Sequence, residues 1–252
     1  MRTGALKLFY LIAVGAVIIA GVLFFGNDSE ITPPTEADAG NTPASISETL
    51  DIKNEEPKPL PKNFMINIPF TVQAPLANWQ WPFNHSCEEA SVLMTHLYFA
   101  KKTLAPEKAQ AEILAMNEYE KKNYPLANVS AARQTAIFIN DYYGYDAKAY
   151  FDITFDDIKK ELVEGNLVLV PAAGQRLKNP YFKTPGPLYH MLVIKGWTPT
   201  EFIVNDPGTK RGADFRYSYE ILEDAISDWD LEDWDTAVNV NDRKVMIVVK
   251  DN

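Results

Sequence analysis

The stretch HMLVIKGWTPTEFIVNDPG, residues 190–208, contains two apolar, β-branched runs on either side of a short turn. This pattern predicts two antiparallel strands, 190–195 and 201–204, joined through residues 196–200. A hairpin centred on Thr198 would place His190 directly opposite Asp206. Directly opposed side chains point to the same face, with Cβ atoms about 5 Å apart, so the carboxylate could orient the imidazole. A register slipped by one residue would offer Asn205 instead.

The rest of the chain predicts helices first and strands mostly later, which indicates an α+β fold rather than a doubly wound sheet. The S-x-x-E pattern of Ser86 and Glu89 predicts a capping box at a helix start, and Thr154 with Asp157 predicts another. Further helices are expected at 106–119 and 130–143. The remaining strands are expected at 147–151, 167–171 and 245–249.

The N-terminus contains a run of 19 uncharged residues, LFYLIAVGAVIIAGVLFFG, from residue 8 to residue 26. At about 1.5 Å per residue, a helix of this length just crosses a hydrocarbon core of roughly 30 Å. Basic residues precede the run and acidic residues follow it, which predicts a cytoplasmic N-terminus and an extracytoplasmic domain. We expect residues 1–26 to be an uncleaved single-pass anchor in the cell membrane. A cleaved signal peptide is the alternative, although the run ends in bulky side chains.

Residues 27–63 hold six prolines, eight acidic residues and three lysines, and few large apolar side chains. Such a segment cannot bury enough surface to offset its chain entropy, so we expect a disordered, Pro-rich, acidic linker. Residues 64–252 then form one domain of ordinary size. The net charge of −10 argues against a nucleic-acid partner.

Cys87 is the only cysteine, and the sequence holds three histidines without an HExxH or CxxC motif. We therefore expect no disulfide within the chain, no metal site and no cofactor. If Ser86 is the N-cap, Cys87 occupies the first helical position, where free amides and the helix dipole stabilise a thiolate. Glu88 and Glu89 would partly oppose this effect. The alternative is that Cys87 is only a small buried apolar residue.

A nucleophilic thiolate needs a base, which is normally a histidine held by a third group. His96 is nine residues further along the same helix, about 13 Å away and on the opposite side, so it is excluded. His85 lies in the turn before the helix and stays open as an alternative. His190 is the stronger candidate because Asp206 is its expected partner across the hairpin.

Four patches of the sequence together resemble a known family: INIPFTVQAP (66–75), CEEASVLM (87–94), YHMLVIKGW (189–197) and VNDPGT (204–209). They are similar to stand-alone cysteine peptidase domains related to the double-glycine leader peptidases that process bacteriocins. The resemblance implies a papain-like fold, with N-terminal helices packed on a C-terminal antiparallel sheet. It also implies that Cys87 is the nucleophile, His190 the base and Asp206 the orienting acid.

Enzymes of this kind use a glutamine upstream of the cysteine to donate to the oxyanion, and the resemblance assigns this role to Gln73. Gln73 lies fourteen residues before Cys87, which is further than in the leader peptidases themselves. Gln80, seven residues before Cys87, is the competing candidate. The aromatic residues Trp79, Trp81 and Phe83 either pack this loop on the core or form a wall of the substrate groove.

The sequence thus predicts a membrane-tethered cysteine peptidase that acts on a peptide or protein through an acyl-enzyme. The same order of Cys, His and Asp also serves transglutaminase-like acyl transferases. A non-catalytic cell-surface module that binds peptides and retains the fold is the alternative from another functional class.

Overall fold

The structure is a computed structural model, and it describes residues 59–124, 132–229, 240–241 and 243–252. The predicted anchor and most of the predicted linker lie outside the described residues. Within the described ranges, no helix has both the length and the apolar character needed to cross a membrane. The last linker residues, 59–63, contact the domain, since the Trp197 indole N–H donates to the carbonyl oxygen of Pro61 at 3.0 Å.

The described residues form five helices and nine strands. The helices are α1 (Cys87–Phe99), α2 (Pro106–Asn123), α3 (Ala132–Tyr143), α4 (Phe155–Val163) and α5 (Tyr219–Ala225). The strands are β1 (Phe64–Met65), β2 (Asp146–Phe151), β3 (Leu167–Ala173), β4 (Tyr189–Trp197), β5 (Glu201–Asn205), β6 (Phe215–Ser218), β7 (Asp228–Trp229), β8 (Val240–Asn241) and β9 (Val245–Lys250).

Across the described ranges, the main sheet has the strand order β2-β9-β3-β4-β5-β6, and β1 is added to β4. All of its pairings are antiparallel. The central strands are buried on both faces of the sheet. Since successive side chains alternate between the faces, Leu169 and Val193 pack with α1 to α3, whereas Val170 and Leu192 belong to the core on the opposite face. The predicted α+β class, with early helices on an antiparallel sheet, is confirmed.

The hairpin of β4 and β5 forms as predicted, but its predicted register is wrong. Trp197 pairs with Phe202, and after a bulge Val193 pairs with Asn205, where β5 ends; continued beyond that point, this register would place Gly208, not Asp206, opposite His190. The turn is shorter than expected because the Thr198 hydroxyl accepts from the Glu201 amide at 3.1 Å. The error amounts to two residues, and side chains alternate with a period of two, so His190 and Asp206 still share a face.

Of the two predicted capping boxes, one is confirmed and one is wrong. Thr154 and Asp157 exchange both hydrogen bonds at the start of α4. At α1 the helix begins where expected, but Ser86 makes no side-chain cap. Its ψ of 31° is outside the extended conformation of a capping residue, and its hydroxyl donates instead to the carbonyl oxygen of Pro82 at 3.1 Å.

Candidate active site

Cys87 is the first residue of α1 and is 6% exposed. The helix start is fixed to α2, because the Asn117 side-chain amide donates to the Ser86 hydroxyl at 3.1 Å. The amide of Cys87 has no acceptor within the helix, since the first amides of any α-helix lack one. The thiol therefore lies at the positive end of a helix whose start is fixed, next to the Cys87 N–H group that has no acceptor within the helix.

His190, near the start of β4, is brought between Cys87 and Asp206. Its Nε2 lies 2.7 Å from Oδ1 of Asp206, and the ring is 1% exposed. Cys87 and His190 line the same cavity, and Cys87 contributes to raising the pKa of the ring. Because Nε2 faces the carboxylate, Nδ1 is the nitrogen that remains for the thiol. The structure thus brings together the three residues that the sequence singled out.

Asp206 follows β5 directly and accepts hydrogen bonds on both carboxylate oxygens. Oδ1 also accepts from the Gly208 amide at 2.9 Å, and Oδ2 accepts from Asn179 Nδ2 at 2.9 Å and the Tyr217 hydroxyl at 2.7 Å. Burial raises the pKa of Asp206, but His190 and these donors outweigh it and hold the pKa below its ordinary value. The carboxylate is therefore ionised and fixed in place.

The contact with Asp206 also sets the protonation state of His190. Burial alone lowers the pKa of His190, but the charge and the hydrogen bond of Asp206, helped by Cys87, outweigh burial and raise the pKa to about 10. The ring therefore carries a proton at neutral pH. A protonated imidazole beside a thiol at a helix start is the arrangement that favours a thiolate nucleophile.

The loop after Asp206 needs two small residues. A Cβ on Gly208 would lie 2.8 Å from Cε1 of His190, and a Cβ on Gly212 would lie 1.7 Å from the carbonyl oxygen of Asp206. The backbone closes tightly here, since the Asp206 amide donates to the Gly212 carbonyl oxygen at 2.9 Å. The two glycines of DPGTKRG thus let the loop fold against the imidazole and the carboxylate.

The structure separates the two candidate glutamines. Gln73 is 5% exposed and lines the cavity in front of Cys87. Its backbone N–H donates to the carbonyl oxygen of Pro207 at 3.0 Å, and its side-chain Nε2 donates to the carbonyl oxygen of Phe83 at 2.8 Å. The second N–H of Nε2 has no part in either bond. Gln80 is exposed and is not among the residues that line the cavity.

The alternative site residues occupy other positions. His85 is exposed at the cavity, against the Trp81 ring with centroids 5.5 Å apart. His96 bonds the Tyr145 hydroxyl at 2.9 Å. Asn205 donates to the carbonyl oxygens of Ile68 and Pro69, so it braces the backbone rather than His190.

The cavity has a volume of about 1200 Å³ and opens onto Cys87 and His190. Trp79 and Trp81 are exposed and line it, whereas Phe83 is 4% exposed and packs in the core. Packing on the core therefore describes Phe83, whereas Trp79 and Trp81 border the cavity. Among the described residues, no group of His, Cys, Asp or Glu side chains could hold a metal ion.

The cavity also holds an acidic cluster, Glu88, Glu89 and Glu120, which the sequence did not predict as a unit. Burial, then the charge of Glu88, raises the pKa of Glu89 to about 8. Burial, then Glu88 and Glu89, raises the pKa of Glu120 to about 11. Glu89 is therefore mostly neutral at pH 7, and it opposes a thiolate less than its sequence position suggests. Glu120 comes from α2, and no local pattern links it to Cys87.

The chain is similar to known proteins at the level of its family. The Peptidase_C39 like family matches residues 65–233, which is most of the domain. No curated protein matches the chain significantly. A crystal structure of a Bacillus anthracis protein that carries the name C39-like peptidase aligns over 76% of this chain and 99% of its own, with 14% identity and a TM-score of 0.46. The family match confirms the resemblance seen in the sequence: this chain belongs to the Peptidase_C39 like family.

Proposed function

We propose that this protein is a cysteine peptidase that hydrolyses peptide bonds through Cys87, His190 and Asp206. The observation that carries the proposal is the buried contact of 2.7 Å between His190 and Asp206, in the cavity that Cys87 also lines. Family membership supports a peptidase-type domain.

The reaction follows from the positions of these groups. The Cys87 thiolate attacks the scissile carbonyl carbon, and the C=O electrons move onto the oxygen. When that oxygen re-forms the carbonyl, the C–N bond breaks and the proton of His190 passes to the leaving amine. Water then attacks the acyl-enzyme while His190 accepts its proton, and the acid product leaves as the thiolate is restored.

The amide of Cys87 and the remaining N–H of Gln73 Nε2 are the donors that we assign to the oxyanion. Losing one preorganised donor lowers kcat by about 10²–10³-fold. We therefore expect Gln73→Ala to lower kcat by that order and to change KM little. Gln80→Ala, which changes an exposed glutamine of the same segment, serves as the matched control. A loss of activity in Gln80→Ala but not in Gln73→Ala would show that Gln80, and not Gln73, donates to the oxyanion.

The proposal extends to the location of the enzyme. We propose that residues 1–26 hold the domain at the outer face of a cell membrane, with the linker as a spacer. The support is the apolar run of the sequence and the asymmetry of its flanking charges.

A digest of a mixed peptide library by the full chain tests the proposal directly. We expect new cleavage products with the wild type and none with Cys87→Ala, measured by mass spectrometry. The same library with an added primary amine distinguishes acyl transfer, because a transferase would give amine adducts in place of free acids. Peptides retained without cleavage by both proteins would indicate the non-catalytic binding module.

A further inference from the structure

One wall of the cavity is formed by buried acids. Glu88 and Glu89 lie in the first turn of α1, immediately after Cys87, and Glu120 projects from α2. These three residues are 6%, 6% and 3% exposed, and all three line the cavity. Buried carboxyl groups are costly unless something compensates them, so this concentration beside the nucleophile requires an explanation.

Glu120 provides an observation independent of the acidic composition. Its buried Oε1 has no hydrogen-bond partner among the described residues. Neighbouring Asn117 donates both N–H groups of its side chain, to the Ser86 hydroxyl and to the Ile113 carbonyl oxygen. The Asn117 side-chain oxygen is then the atom that remains to accept. This wall offers acceptors, which is what a group with several N–H donors would need.

The cations that line the cavity are on other segments. Lys183 belongs to the loop before β4, and Lys210 and Arg211 belong to the loop after Asp206. Lys121 of α2 lies over the Trp81 ring, 6.0 Å from its centroid, but it pairs with Glu118 at 2.7 Å. The helix wall thus carries the carboxyl groups of the cavity, and the loop wall carries its lysine and arginine side chains. Trp81 borders the same cavity and offers an apolar face for the stem of a long side chain.

We infer that the acidic wall is a substrate subsite that binds the ammonium or guanidinium group of a lysine or arginine side chain. The inference rests on the proposed peptidase function, since it assigns a specificity to that same cavity. Three N–H donors of lysine, or the fork of arginine, match the free Oε1 of Glu120 and the oxygen of Asn117. A bound cation would favour the ionised form of these carboxyl groups.

Small cations test this subsite without any knowledge of the cleavage site. Binding to the full chain is measured by calorimetry for n-butylammonium, n-butylguanidinium and neutral n-butanol. We expect the cations to bind at least about tenfold more tightly than n-butanol, and Glu120→Gln to weaken them by about 30-fold. The matched control is Glu118→Gln, an exposed acid of the same helix, which should bind like the wild type.

Each other outcome has a defined meaning. Equal binding of cations and n-butanol, or an equal loss in Glu118→Gln, would overturn the subsite. Alaninamide, which carries the terminal amine of a peptide but no basic side chain, is a further probe. If it bound while the two n-butyl cations did not, the subsite would also be overturned, because the site would then recognise a peptide N-terminus. If Glu120→Gln does not fold, protection of wild-type Cys87 from iodoacetamide by n-butylammonium, and not by n-butanol, decides the question.

The two proposals can fail separately. Calorimetry needs no turnover, so selective cation binding without any cleavage of the peptide library would refute the peptidase and leave the subsite standing. Cleavage that depends on Cys87, without selective cation binding, would refute only the subsite.

Discussion

Cys87→Ala and His190→Ala are each expected to abolish peptide hydrolysis. Without the thiol no acyl-enzyme forms, and without the imidazole the thiol loses its base and the leaving amine loses the proton donor that we assign to it. Acid–base assistance alone contributes about 10²–10⁴-fold to a rate. The double variant should be little worse than either single variant, because residues that act as one unit are not additive. The measurement is kcat/KM on a cleaved library peptide, with folding checked by circular dichroism.

His85→Ala is the control for this experiment, since His85 also borders the cavity but is exposed and stands against Trp81. We expect it to retain most of its activity. An inactive His85→Ala protein together with a nearly normal His190→Ala protein would make the histidine beside the nucleophile the base.

The fold could be predicted where its signals are local. The helix start at Cys87, the capped start at Thr154 and the paired strands around Thr198 all follow from residues within a few positions of each other. The register error at Thr198 arose because one hydroxyl sets the turn and a bulge interrupts β4 before it, and neither changes the hydrophobic pattern. Strand β6 and helix α5 were missed because both are short and their polar residues conceal the periodicity.

The candidate site was predicted through pairs and missed where it depends on long-range contacts. His190 and Asp206 were found together because a hairpin joins them. Asn179 and Tyr217 both donate to Asp206, yet they come from a loop and an unpredicted strand. Glu120 reaches the cavity only because α2 packs beside α1. Contacts of this kind follow from tertiary packing, and no spacing in the sequence reports them.

Asp206→Asn is expected to be nearly as damaging as loss of His190. An amide can accept on only one of its two ends, whereas the structure directs donors at both carboxylate oxygens. The new NH₂ group would therefore face either His190 and Gly208 or Asn179 and Tyr217. Removing one partner of a buried ion pair costs about 3–5 kcal/mol. We expect a loss of that order in the free energy of unfolding, measured by urea denaturation, and a fall in kcat of about 10²–10⁴-fold.

The pH dependence of this loss separates the ion pair from general damage to packing. The pKa of His190 is about 10 in the folded protein against 6.5 as the ordinary value. A raised pKa means that the folded state holds the proton more strongly, so the contribution of the pair is fully present below pH 6.5. It is lost as the pH rises through about 10. In Asp206→Asn the charge and hydrogen bond of Asp206 no longer offset burial, so the pKa of His190 falls and this slope is reduced.

The stability difference between wild type and Asp206→Asn should therefore be larger at pH 6 than at pH 9. Glu89 and Glu120 also have raised pKa values, but they make the free energy of unfolding depend on pH in both proteins, so their contributions cancel in the difference. Asp152→Asn is the control, since its carboxylate pairs with Arg243 at the surface and its φ of 56° suits asparagine. A difference that is the same at both pH values, with activity retained, would show that Asp206 only fills space beside a histidine that needs no carboxylate.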